Sequence, residues 1–147
     1  MSRLEAFVTE VKRSVQDLPE HVRFGLVAYD RTVQPWEGEE RAATGEAVTS
    51  ASAWLDRITP GGSSGPARGM AYALRQYPTT DTFVLLTDGG PNVESNDVNL
   101  QMIRYVLSAR SPARVHVFAL DERPEPQDFL QSIASMTHGN YQLCIFR

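Results

Sequence analysis

Leu4, Phe7, Val8, Val11, Val15 and Leu18 recur at intervals of three and four with polar residues between them. That period predicts an amphipathic helix over 2–18, opened by a Ser2/Glu5 capping box. Proline disfavours helical geometry in the residue before it, so the helix should stop at Leu18-Pro19. The pattern then changes. Arg23 to Tyr29, with Phe24, Leu26 and Val27, reads as a strand, and Thr32 to Trp36 folds back beside it as a hairpin. Pro35 consigns that second strand to a sheet edge. Helical spacing returns over Glu39 to Ile58, with Ala43, Ala47, Ala51, Trp54, Leu55 and Ile58 inward and Gly45 weakening the middle. Pro66 opens a short helix to Tyr77. Thr82 to Thr87 is a compact apolar strand. A helix over Asp97 to Arg110 follows, capped by Asn96 or Asp97 and buried through Leu100, Ile103, Val106 and Leu107. The rest reads as strand Arg114 to Leu120, a loop rich in Pro and Glu, helix Gln127 to Thr137 stopped by Gly139, and strand Tyr141 to Phe146.

Strands alternating with helices predict an α/β fold: a doubly wound, mostly parallel sheet with helices on both faces and an antiparallel edge hairpin. At 147 residues and 41% hydrophobic content, the chain is expected to form a single domain over 1–147. A net charge of -4, with no basic stripe, excludes a general nucleic-acid or anionic-membrane binder. Residues 2–18 alternate charge with apolar residues, unlike a signal peptide, and no apolar run reaches membrane-spanning length. Cys144 is the only cysteine, so no internal disulfide forms; it reads as a small apolar residue of the last strand. The compartment is unassigned, cytoplasmic by default.

The chemistry concentrates at two segments. Phe83-Val84-Leu85-Leu86-Thr87-Asp88-Gly89-Gly90 is a buried strand delivering Asp88 to its carboxyl end, where open α/β sheets bind ligands. Pro60-Gly61-Gly62-Ser63-Ser64-Gly65 supplies hydroxyls just ahead of a helix. Together with Arg23 to Tyr29, Met70-Ala71-Tyr72-Ala73-Leu74, Phe129 to Ala134 and His138-Gly139-Asn140-Tyr141, these segments resemble the von Willebrand factor A domain in their order.

The resemblance implies a non-enzymatic, adhesion-type domain that binds a protein ligand through a Mg²⁺ ion held at the top of the sheet. Asp88 matches the family's acidic position and Ser63 its threonine; Gly62, Ser64 and Gly89 fall on the ligand-binding rim, with Arg68 beside it. Mg²⁺ takes six oxygen ligands and keeps several waters, so a carboxylate and hydroxyls on separate loops suit it. The family's first strand, with its Asp-x-Ser-x-Ser motif, has no counterpart in this sequence. The expectation is therefore an N-terminally incomplete domain with half a coordination shell and weak or no Mg²⁺ binding. That strand lies between the family's second and fourth, so its absence implies an open slot, to be filled by a strand donor or by self-association.

Gly61-x-Ser63-x-Gly65 also satisfies the nucleophile elbow of serine hydrolases, with Asp88 and then His116 or His138 in the order that fold uses. The elbow needs a strand before it, whereas Trp54 to Ile58 reads as a helix end, which sets this alternative second. His21, His116 and His138 have no zinc-like spacing. Asp30 and Asp97 read as a turn residue and a helix cap, and Trp36 and Trp54 as packing residues. No lysine follows the glycines as in a P-loop.

Overall fold

A computed structural model describes residues 3–29, 32–58, 66–87, 96–119 and 124–143. Its elements are α1 (Arg3–Gln16), β1 (Arg23–Phe24), β2 (Val27–Tyr29), β3 (Val33–Pro35), β4 (Arg41–Ala42), α2 (Gly45–Asp56), α3 (Pro66–Gln76), β5 (Thr82–Thr87), α4 (Asn96–Ser108), β6 (Arg114–Ala119), α5 (Pro124–Met136) and β7 (Tyr141–Leu143). The chain divides into two compact units, Met1–Ala28 with Gln34–Gly61, and Tyr29–Val33 with Gly62–Arg147.

In the first unit α1 packs on α2. Val15, Phe24, Ala43, Ala47 and Ala51 form its core, with Val11, Leu18, Leu26, Trp36 and Val48 packed against them. Trp36 is a packing residue, as the sequence suggests. Its ring stacks on Phe24 at 5.0 Å and 12°, the Arg41 guanidinium lies 5.5 Å from the Trp36 ring centroid, and the indole N–H donates to Ser50 Oγ at 3.3 Å. Lys12 pairs with Asp56 across the two helices.

Two expectations need correction in this unit. The strand predicted over 23–29 is broken at Gly25-Leu26: β1 pairs antiparallel with β4 (Arg23↔Ala42, Phe24↔Arg41), whereas β2 pairs with β3. Glycine within a strand favours such a break. The helix predicted from Glu39 starts at Gly45, because Arg41 and Ala42 are held as β4, and Ala43 N–H donates to Val22 O at 2.9 Å. Thr44 is the N-cap, its Oγ1 accepting the Ala47 N–H at 3.2 Å. Gly45 thus sits at the first turn of α2 and not in a helix middle, where its cost would be greatest.

The second unit holds a three-stranded parallel sheet in the order β5-β6-β7. The boundaries of β5 agree with the sequence reading, and β6 agrees from Arg114 through Ala119, with Leu120 outside the described residues. Phe83↔Val115 and Leu85↔Val117 form a buried row on one face. α3 turns Ala67, Met70, Ala71 and Leu74 inward, a helical stripe, and packs on α4, which buries Ile103 and Val106. α5 covers β6 and β7 with Leu130, Ile133 and Ala134. It starts at Pro124, earlier than the predicted Gln127, since proline is well suited to the first helical turn. At its end His138 carries the left-handed turn (φ 59), and Gly139 N–H donates to Ala134 O at 2.8 Å. Gly139 is needed for close approach instead: a Cβ there would lie 1.8 Å from Val115 O. The closing strand is described to Leu143; Cys144 and the rest of the predicted 141–146 strand lie outside the described residues.

Candidate functional site

β5 carries the chain to the carboxyl end of the parallel sheet at Thr87, which is 2% exposed and pairs with Ala119. Asp88 is the next residue in sequence. Asp88, Gly89, Gly62, Ser63 and Ser64, with Asp30, lie outside the described residues. What the structure describes are the elements that precede and follow these segments in sequence.

α3 begins directly after the glycine-rich segment. Pro66 and Ala67 are buried at its first turn, and Arg68 is exposed beside them. On the first turn of α4, Asn99 is a buried polar side chain, 3% exposed. Tyr29 joins β5 to α3. Its hydroxyl donates to Leu86 O at 3.3 Å, one residue before the end of β5. Its ring lies over Gly69 of α3 so closely that a Cβ there would be 2.7 Å from Tyr29 Cδ1 and 2.9 Å from Cβ. Gly69 therefore lets the Tyr29 side chain approach the α3 backbone closely. A glycine inside an apolar helical stripe is a sequence signal of such a close approach. Tyr29 itself carried none, since a strand tyrosine is ordinary.

The opposite end of the sheet is structural. Arg110 follows α4 and donates to Leu74 O at 3.0 Å and to Thr80 O, with its guanidinium 5.0 Å over the Phe83 ring. Burial lowers its pKa from the usual arginine value, by desolvation, and leaves it a cation at neutral pH. An open groove of ≈ 520 Å³ at this end is lined by Asp81, Thr82, Leu107, Arg114 and His138 among others.

Hydrolase geometry gains no support. α2 runs to Asp56, with Arg57 as its C-cap, so a helix and not a strand precedes the Gly61-x-Ser63-x-Gly65 segment. His116 is half-buried in β6 with Nδ1 accepting the Asn140 N–H at 3.1 Å, and His138 is an exposed helix-end residue. Among the described residues no group of His, Cys, Asp and Glu is placed to hold a metal ion, and no helix is long and apolar enough to cross a membrane.

Comparison with known proteins agrees with this frame. No curated protein matches the chain. Among solved structures it is similar to a von Willebrand factor type A protein from Catenulispora acidiphila, with a TM-score of 0.78 at 16% identity. That match covers 98% of this chain and 34% of the other, so this chain spans about a third of that protein. It is also similar to BatB from Bacteroides thetaiotaomicron, with a TM-score of 0.73 at 14% identity over 99% of this chain and 82% of that one. These likenesses concern the fold: an α/β domain with a parallel sheet. The family model of the von Willebrand factor type A domain matches residues 2–143. Domains of this kind are generally protein-interaction modules, and this chain belongs to the von Willebrand factor type A domain family.

Proposed function

We propose that this chain is a non-enzymatic protein-interaction domain whose ligand rim follows the carboxyl end of β5 and retains only part of a metal site. The observation that supports this most is the buried end of β5: Thr87 is fixed at the sheet's carboxyl end and Asp88 follows it. A carboxylate leaving a buried strand is costly unless paired with a cation, a donor or water, which gives it a reason to face a ligand. Ser63 and Asp88 supply one hydroxyl and one carboxylate toward Mg²⁺, and Gly62, Ser64 and Gly89 flank them. An ion that prefers six oxygens would draw most of its shell from water on such a donor set, so binding is weak. When bound, Mg²⁺ would offer a coordination position to an acidic group of the ligand. Arg68, exposed on α3, would add a charge contact.

The test compares wild type with a Ser63→Ala/Asp88→Ala double variant, each immobilised and exposed to lysate of the source organism. Proteins retained by wild type and lost from an equally folded double variant support the rim. An identical set on both would move the interface elsewhere. Nitrophenyl ester hydrolysis by wild type, abolished by Ser63→Ala, would overturn the non-enzymatic reading.

A further inference from the structure

Within the second unit α3 and α4 pack directly on each other, and their outer sides adjoin. α3 turns Ala67, Met70, Ala71 and Leu74 inward, which leaves Tyr72 half-buried and Arg75 exposed on its other side. α4 buries Asn99, Ile103 and Val106, while Val98, Gln101, Arg104 and Tyr105 are exposed. Those four lie three, four and seven positions apart, so they share one helix face. Arg110, just past α4, donates to Leu74 O at 3.0 Å and holds the end of α4 against the turn of α3 that carries Arg75.

The charge of this face runs against that of the chain. The chain carries a net charge of -4, yet α3 contains no acidic residue and α4 has none from Val98 to its end. In the first unit the cations are matched: Lys12 pairs with Asp56, Arg13 with Glu10 and Arg41 with Glu37. Arg75 and Arg104 make no ion pair and no side-chain hydrogen bond among the described residues. The same face is also apolar. Tyr105 is 74% exposed and Val98 45%, two of the three large apolar side chains that stand out to solvent among the described residues. One such residue alone needs no explanation, but here two share a helix face with an arginine. Tyrosine and arginine are the residue types that anchor protein interfaces.

We infer that the outer face of α3 and α4 is a docking surface for an acidic protein segment with apolar side chains, separate from the rim that follows β5. Carboxylates of the partner meet Arg75 and Arg104, whose planar forks suit bidentate pairing. An aliphatic or aromatic side chain of the partner covers Tyr105 and Val98. Nucleic acid suits this face less well, because two arginines neutralise few phosphates and the rest of the chain is acidic. Each exposed ion pair is worth up to about fivefold in affinity, so a short acidic segment binds weakly and loosens as salt is raised.

Two-dimensional amide NMR spectra of the protein, titrated to millimolar Glu-Glu-Leu-Phe-Glu-Glu peptide, test this. The expected shifts cluster at 72–76 and 98–108, fade with added salt, and are absent with Gln-Gln-Leu-Phe-Gln-Gln. An Arg75→Gln/Arg104→Gln variant should bind roughly 2- to 30-fold more weakly. Tyr105→Ser should also weaken binding, whereas Arg13→Gln, at an ion pair of the first unit, should bind as wild type does. No shift on α3 or α4 at millimolar peptide would overturn the inference, as would equal binding by a folded double variant. Shifts confined to 60–65 and 88–95 would give the acidic peptide to the rim and overturn it too, while leaving the rim reading intact. A duplex DNA oligonucleotide that shifts the same helix signals at lower concentration than the peptide would overturn the choice of an acidic protein. Should the double variant fail to fold, as judged by circular dichroism, Tyr105→Ser and the glutamine peptide decide.

Discussion

Replacing Thr137 by valine should destabilise the second unit more than its size suggests. The residue is buried just past the end of α5, and its Oγ1 accepts the Val115 N–H at 3.0 Å while donating to Ile133 O at 3.0 Å. The reason for that acceptor is the sheet. Val117 N–H finds Asn140 O at 2.8 Å, but β7 begins only at Tyr141, so Val115, one step earlier on the same side of β6, has no strand beside it among the described residues. The threonine hydroxyl stands in for the missing strand. Valine keeps the shape and orphans a buried N–H, which costs about 1–3 kcal/mol. At roughly 4 °C per kcal/mol for a chain of this size, the melting temperature falls by roughly 4–12 °C. Serine keeps the hydroxyl and loses one buried methyl, about 1 kcal/mol. Thermal unfolding by circular dichroism should rank wild type above Thr137→Ser above Thr137→Val, with faster amide exchange at Val115 in the valine variant alone. A valine variant as stable as the serine variant would refute the reasoning.

Other perturbations have signs set by single contacts. Gly69→Ala should destabilise despite a helix-propensity gain of up to about 1 kcal/mol, because its Cβ would meet the Tyr29 ring at 2.7 Å. In a Tyr29→Gly background, which removes both the ring and the Cβ at 2.9 Å, the same change should stabilise, and a double-mutant cycle by chemical denaturation reads the reversal. Arg110→Lys should cost about 1–3 kcal/mol in the same assay, since an ammonium cannot keep the forked bonds to Leu74 O and Thr80 O and also lie flat over Phe83. Thr44→Ala should cost about 1 kcal/mol, and Thr44→Asp should recover most of it, because either oxygen can accept the Ala47 N–H.

Sequence reading succeeded where one local signal had no competitor. β5 is an uninterrupted apolar run between polar ends, and α3 is announced by Pro66, so both were placed from residues alone. α2 was extended too far back because the alanines of Glu39 to Ala47 keep a helical period. That preference yields to pairing with β1, a contact between residues distant in sequence that periodicity cannot see. Thr44 was the available signal, a cap residue inside the supposed helix. In the Pro-Glu-Pro segment, two prolines suggested a loop where a first helical turn tolerates them. As for the site, motif order pointed to Ser63 and Asp88, which the described residues do not reach. The Tyr29–Gly69–Leu86 tie needed tertiary neighbours to be found, with the helical glycine its only trace in the sequence.

Central to the proposed function is an interaction rim that would keep a carboxylate and a hydroxyl but not a full metal shell. Isothermal titration of Mg²⁺ into the protein tests it most directly, with thermal melts at millimolar Mg²⁺ alongside. Little heat and an unchanged melting temperature are expected, in wild type and Asp88→Ala alike. Saturable heat with a clear gain in melting temperature, both abolished by Asp88→Ala, would contradict the incomplete site and show a competent metal centre.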